Sequence, residues 1–289
     1  DPEGPVSIRL GHLPKLMPWV LRFLAAGRFE RLDPVADGLF RLSRGSVAAY
    51  KKRLAGTGQE QLVRDSMYVH VYRNPKAASL DHLGWQLRQA RQVPIELIDK
   101  CALKEIEPHI ADDFEAAILI KQQGRASDPA GIGIALAEKA LAKGANHIQT
   151  KVQEIRPDQG SGCQLVTDEG VFTAKKIVLA AGVWSCQLLT RFGIKLPLEA
   201  ERGYHLVLRN PGITINHSVM DADQKYVASL MQAGVRVAGT AEFAGLEAAP
   251  NYARARRFAD QAKKLFPQLN CADPDEWMGS RPSFPDSLP

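Results

Sequence analysis

The chain has 289 residues, 45% of them hydrophobic, and a net charge of +5, so it carries enough apolar material for one large core or two modest ones. No apolar run reaches the roughly 18 residues a membrane-spanning helix needs. No interleaving of basic and aromatic residues points to a nucleic-acid module, and scattered Gly and Pro argue against low-complexity disorder.

The charge excess is local: residues 1–60 hold ten Lys/Arg against six Asp/Glu, a bias that suits an anionic surface as partner. The start, Asp1-Pro2-Glu3-Gly4, is acidic and polar, unlike a secretory signal. Cys101, Cys163, Cys186 and Cys271 are far apart and form no C-x-x-C pair, which fits free thiols in a reducing, cytoplasmic compartment. The histidines do not cluster, so no metal site is expected.

In chain order, Pro18 is expected to open a short helix through Ala25, apolar on nearly all sides. Two readings stand for it: a core helix, or a contact with a membrane surface helped by Arg22, Arg28 and Arg31. A second helix is expected from Pro34 to Leu54, with Leu39, Leu42, Val47 and Tyr50 inward. Met67–Tyr72 reads as a strand, Ser79–Gln92 as a helix, Val93–Ile98 as a strand, Cys101–Glu107 as a helix stopped by Pro108, and Ala116–Ile120 as a strand. Ser127 or Asp128 caps the next helix, which has Pro129 at its first position and Gly144 at its end. Strands follow from Ala145 to Thr150 and from Lys151 to Arg156, then a hairpin turn at Gly160-Ser161-Gly162, Cys163–Thr167, and Val171–Ala174.

The chain then reaches Ile177-Val178-Leu179-Ala180-Ala181, an apolar run without alternation, which suits a strand buried on both faces. Gly182 ends it, and Val183–Phe192 has near-helical apolar spacing closed by Gly193. A buried strand, a small-residue turn and a helix start form a crevice of the kind that holds ligands in open α/β sheets. Beyond Gly203 the texture changes to short alternating runs at 204–208, 219–221, 226–230 and 235–238, which read as an antiparallel sheet. A basic amphipathic helix, 251–266, ends at Pro267.

Four segments carry a family likeness: Leu179-Ala180-Ala181-Gly182-Val183-Trp184-Ser185, Leu196–Tyr204, Gly239–Gly245, and Trp277–Pro289. In this order they resemble the D-amino-acid oxidase family of FAD-dependent oxidoreductases, and within it the chain is most similar to the bacterial D-amino-acid dehydrogenases. The resemblance implies an α/β (α+β overall) fold: part of an FAD-binding Rossmann-like domain interleaved with an antiparallel-sheet substrate domain. The implied division is 1–60 as helices on the FAD domain, 61–125 as the first part of the substrate domain, and 126–200 as the central FAD-binding part. Residues 201–274 complete the substrate domain and 275–289 return to the FAD domain.

By the same resemblance, Arg281 in Gly279-Ser280-Arg281-Pro282 grips the carboxylate of an amino-acid substrate. A planar guanidinium can do so bidentately. Tyr226 is a second substrate candidate, with a core or rim tyrosine as the equal alternative; Tyr204 and His205 either line the pocket or pack the sheet. Val152, Ala180, Ala181, Gly182 and Trp184 would lie along the FAD. The implied reaction is oxidative deamination of a (D-)amino acid to a 2-oxo acid and ammonia, with electrons passing to a quinone or other acceptor; the implied location is the cytoplasm or the inner face of the cytoplasmic membrane. The chemistry falls to the flavin, and no catalytic side chain is expected.

Two family features do not occur in the sequence. The only spacing like the opening G-x-G-x-x-G turn, Gly131-Ile132-Gly133, follows Ser-Asp-Pro-Ala and has Leu136 at the third glycine position. The glycine-rich segment that follows Pro-Asp-x-Leu-Pro in the family is also missing. The sequence therefore reads as an internal portion of a longer enzyme. Two alternatives stay open: a non-catalytic module that cannot hold FAD, and a glycine- or sarcosine-type amine oxidase using oxygen.

Overall fold

A computed structural model describes residues 4–158, 160 and 162–289; Ser161, in the expected hairpin turn, lies outside the described residues. In chain order the elements are β1 (Val6–Ile8), α1 (Leu13–Ala26), α2 (Phe29–Ser43), α3 (Ser46–Leu54), β2 (Val63–Tyr72), α4 (Leu83–Ala90), β3 (Ile95–Asp99), α5 (Lys100–Ile106), β4 (Ala116–Ala126) and α6 (Pro129–Ala142). They continue as β5 (Val152–Pro157), β6 (Cys163–Thr167), β7 (Gly170–Ala174), α7 (Ser185–Leu189), β8 (Glu199–Leu208), β9 (Ser218–Asp221), β10 (Tyr226–Met231), β11 (Gly234–Ala238), β12 (Ala241–Phe243), α8 (Ala253–Leu265) and β13 (Pro274–Ser283).

Among the described residues one mixed sheet dominates, in the order β1-β12-β8-β11-β10-β9-β2-β4-β3, with β13 on the other edge of β8. Most neighbours are antiparallel; β1–β12 and β2–β9 are parallel. The expected antiparallel run after Gly203 is therefore present as β8 to β12, and it joins the earlier strands β2, β3 and β4 in a single sheet. A small meander, β5-β6-β7, stands apart.

Strand alternation gives the large sheet two chemically different faces. Along β8 every second residue is buried: Ala200, Arg202, Tyr204, Leu206 and Leu208. Of these, Leu206 and Leu208 join Val219, Tyr226, Ala228, Val235 and Val237 against α5 and α8, whose Leu103, Phe258 and Leu265 close the main core. On the opposite face α4 covers only the outer end, where Trp85 packs with Tyr72, Ile118 and Ile120. The β8–β11–β13 end of that face is left open.

Helix ends follow local chemistry. Asp128 caps α6 through its carboxylate, which accepts from the Ala130 amide at 3.0 Å, with Pro129 at the first position. Several expectations change. Helix α1 starts at Leu13 because Pro14 opens it, and Pro18 lies inside. The helix expected over 34–54 is two, split at Gly45, whose φ of +77° is left-handed. Of its expected inward residues Val47 packs on a core, whereas Leu39, Leu42 and Tyr50 are exposed. Residues 145–151 form no strand.

The largest correction is at Ile177–Ala181. The segment is no strand, and Val178 is 91% exposed. A strand buried on both faces needs neighbours for its amides and carbonyls, and among the described residues no strand pairs with this one. The helix expected over 183–192 is a chain of short turns around α7, closed as expected by Gly193 with φ of +66°.

Candidate active site

The open end of the sheet is floored by two glycines. Gly203 on β8 and Gly279 on β13 are cross-strand partners, flanked in register by Glu201↔Arg281 and His205↔Trp277. With no side chains on this pair, their neighbours on β13 lie down over the floor. The Arg281 guanidinium crosses Gly203, where a β-carbon would stand 2.8 Å from Nη2. The Trp277 indole bends over Gly279 and leaves no room for a β-carbon there. Trp277 also stacks on His205, with ring centroids 4.6 Å apart and planes 21° apart.

One arm of the Arg281 fork is held between two acceptors. Nη2 donates to the Thr240 carbonyl at 2.7 Å, and the same atom lies 2.8 Å from Glu201 Oε1. Glu201 is itself fixed by Ser283 Oγ at 2.7 Å. The arginine side chain is nonetheless 56% exposed, so a carboxylate can reach it. Burial, and then Arg236, push the His205 imidazole down to about 4, so it is neutral at physiological pH and presents no competing charge.

Tyr226 does not join this surface. It is buried on the α8 side, where its hydroxyl donates to the Gln261 carbonyl at 2.6 Å. Burial, then the Asp221 carboxylate, push that phenol above its ordinary value. Tyr204 is also on the buried face; its hydroxyl donates to Glu242 at 2.6 Å. Of the tyrosine and histidine candidates only His205 shares the face of Arg281.

The positions expected along FAD gather beside this floor. β13 packs against the turn Gly182–Trp184. In that turn Gly182 has φ of +54°, and the space where a β-carbon would stand is open to 4 Å. Ala180 is exposed, Ala181 and Gly182 are half-buried, and Trp184 is 55% exposed. Val152 opens β5, and β5 packs on α7, the helix that follows the turn; Arg191 and Glu154 form an ion pair there. An accessible small-residue bend next to the strand of Arg281 fits a flat cofactor approaching backbone, the role such turns play in nucleotide-binding folds.

Residues 15–289 match the family model of the FAD dependent oxidoreductases. The chain belongs to that family. It is 35% identical over 295 residues to a D-amino-acid oxidase of Bradyrhizobium diazoefficiens, covering 100% of this chain and 70% of the relative. It is 30% identical to a D-amino acid dehydrogenase of Dechloromonas aromatica, over 99% and 71% of the two chains. Among solved structures it resembles a glycine oxidase from Geobacillus kaustophilus, with a TM-score of 0.69, 22% identity, and coverage of 95% of this chain and 69% of that one. As a member of this family the protein is an FAD-dependent oxidoreductase with a mixed α/β fold.

Sequence reasoning singled out Arg281 but not what places it. Gly203, Gly279, Trp277 and Glu201 became visible only through strand register. The signal was present: the spacing Trp277-x-Gly279-x-Arg281 puts all three on one face of a strand.

Proposed function

We propose that this protein catalyses the FAD-dependent oxidative deamination of a D-amino acid to a 2-oxo acid and ammonia. The observation that carries the reading is the accessible Arg281 guanidinium lying over the Gly203–Gly279 floor, on a strand packed against the Gly182 turn. The two named relatives, an oxidase and a dehydrogenase of D-amino acids, support the substrate class.

Arg281 binds the substrate carboxylate through its remaining donors and so fixes Cα at one place. Trp277 and neutral His205 wall the floor beside it. Val152, Ala180, Ala181, Gly182 and Trp184 would hold FAD, which supplies the two-electron acceptor for the Cα–H bond. The amino group loses a proton to solvent, and water hydrolyses the released imine. In this reading 1–60, 126–200 and 275–289 serve the cofactor, and 61–125 with 201–274 serve the substrate; Tyr226 has no part in binding.

The acceptor belongs to the same proposal. No helix among the described residues is long and apolar enough to cross a membrane. On α1, Leu16 is buried and Trp19 packs at a tilt against Phe243, whereas Leu21 and Leu24 are 61% and 64% exposed beside Arg22. Phe29, next to Arg28, is 78% exposed. An apolar ridge with basic flanks suits the inner face of the cytoplasmic membrane, where a quinone can take the electrons.

The test uses the full-length flavin-loaded protein under nitrogen. Addition of a D-amino acid should bleach the flavin absorbance, and Arg281→Met should weaken carboxylate binding by about a hundredfold. Bleaching by amines without a carboxylate, unaffected by Arg281→Met, would refute the reading. Reoxidation by a quinone dye faster than by oxygen supports the proposed acceptor; the reverse order assigns an oxidase.

A further inference from the structure

A second guanidinium stands on the same floor with no counter-ion among the described residues. Arg236 is on β11, opposite Val207 of β8 and Ser229 of β10. Its neighbours Val235 and Val237 point into the main core, so Arg236 points to the face of His205 and Arg281. It is half-buried, yet among the described residues it makes no hydrogen bond or ion pair. Burial, then repulsion from Arg281, hold it below the ordinary arginine value.

A half-buried cation that repels its neighbour and has no protein partner costs folding energy in the free protein. Arginines on a surface are usually paired or fully hydrated. Here the hydroxyls of Ser229 and Ser218, 2.7 Å apart, lie beyond Arg236 on the same face. Glu201, the carboxylate nearest to Arg281 on this face, is already engaged by Arg281 and Ser283. Neutral His205 sits between the two arginines and cannot neutralise either. The floor thus offers two cationic forks separated by a neutral ring, a layout that suits a ligand with two anionic ends.

We infer that Arg236 forms a second anion subsite, which reads a negatively charged side chain on an amino acid whose α-carboxylate is held by Arg281. The inference rests on the substrate reading above and deepens it: the preferred substrates are acidic amino acids, and the Ser229 and Ser218 hydroxyls are further donors to the distal group. A ligand without the distal charge covers Arg236 and leaves it without a partner, so neutral isosteres bind less well.

The experiment measures calorimetric binding of two amine-free probes, the dicarboxylate glutarate and the monocarboxylate pentanoate, to the full-length flavin-loaded protein and its variants. Wild type should prefer glutarate by about tenfold or more. Arg236→Met should bring that ratio close to one, and Arg236→Lys, which keeps the charge, should restore part of it. Thermal denaturation confirms that the variants are folded. A wild type without preference, or a ratio unmoved in Arg236→Met, overturns the inference. Arg281→Met separates the two claims: it should weaken both probes together, and if it weakens neither, the substrate reading fails whatever the ratio does.

Discussion

Gly203 and Gly279 face each other across β8 and β13, and neither can carry a methyl group without moving the side chain that lies on it. The pair is the reason Arg281 and Trp277 lie flat on the sheet rather than standing away from it. Side chains at these positions would leave the strands paired but lift the guanidinium off its place between Glu201 and Thr240.

Gly203→Ala tests this directly. The atom it strikes is the tip of a flexible arginine, so the fold should survive with a stability change of about 0.5 kcal/mol or less. Carboxylate binding should fall about tenfold, because a displacement of this size misplaces the clamp. Calorimetric binding beside the thermal midpoint reads both. A large loss of stability with unchanged affinity would show that the glycine serves packing alone.

Glu201 restrains Arg281 and also lowers the positive field on the floor. Glu201→Gln keeps an acceptor for the guanidinium and removes the charge, so the affinity for small carboxylates should rise by about twofold to fivefold at low salt. The gain should shrink toward none near 1 M salt, since Arg281 is 56% exposed and screening there is nearly complete. Affinities measured across a salt series that fall in the variant would contradict this role.

Part of this site is legible in the sequence and part is not. Local signals located Asp128 at the start of α6, Gly193 at its turn, and the alternating strands after Gly203, because capping, left-handed glycines and period-two burial act over a few residues. Ile177–Ala181 misled because an apolar run states a wish for neighbours, and pairing depends on strands elsewhere. Tyr226 stayed open between substrate surface and core for a related reason. A tyrosine on a strand faces one side or the other by register alone, and its alternation with Val227 and Ala228 does not tell which side is open. Family likeness pointed to Arg281, whereas the groups that hold it come from β8, about eighty residues away, and from Thr240 just before β12, contacts that no local pattern reveals.

Tyr226→Phe separates the two faces of the sheet. The hydroxyl donates to the Gln261 carbonyl of α8 at 2.6 Å, and its loss removes a hydrogen bond made by a buried tyrosine. Stability should drop by about 1–2 kcal/mol, seen as a shift of the denaturant midpoint without a change of slope. Substrate KM and kcat should stay within about twofold, as the hydroxyl lies across the sheet from Arg281. A marked rise in KM in a folded variant would return Tyr226 to the substrate surface.

Glu107 gives the protein a pH dependence away from the site. Its carboxylate is fully buried, accepts from the backbone amides of Asn216 at 3.1 Å and His217 at 2.6 Å, and is pushed up to about 7 by burial. Those amides and Arg125 pull the other way without overcoming it. A carboxyl raised from 4.5 favours the folded state when protonated. Its contribution is therefore fully present below pH 4.5 and is lost as pH rises through about 7. His217 beside it is held below its ordinary value by burial and then Arg125, so its own effect has the opposite sign and appears as pH falls. Comparing wild type with Glu107→Gln cancels that term. Relative to the always-neutral variant, wild type should lose on the order of 3 kcal/mol between pH 5 and pH 8, read from urea unfolding at each pH. A difference between the two proteins that stays flat over that interval would mean the carboxyl is already ionised in the folded state at pH 5.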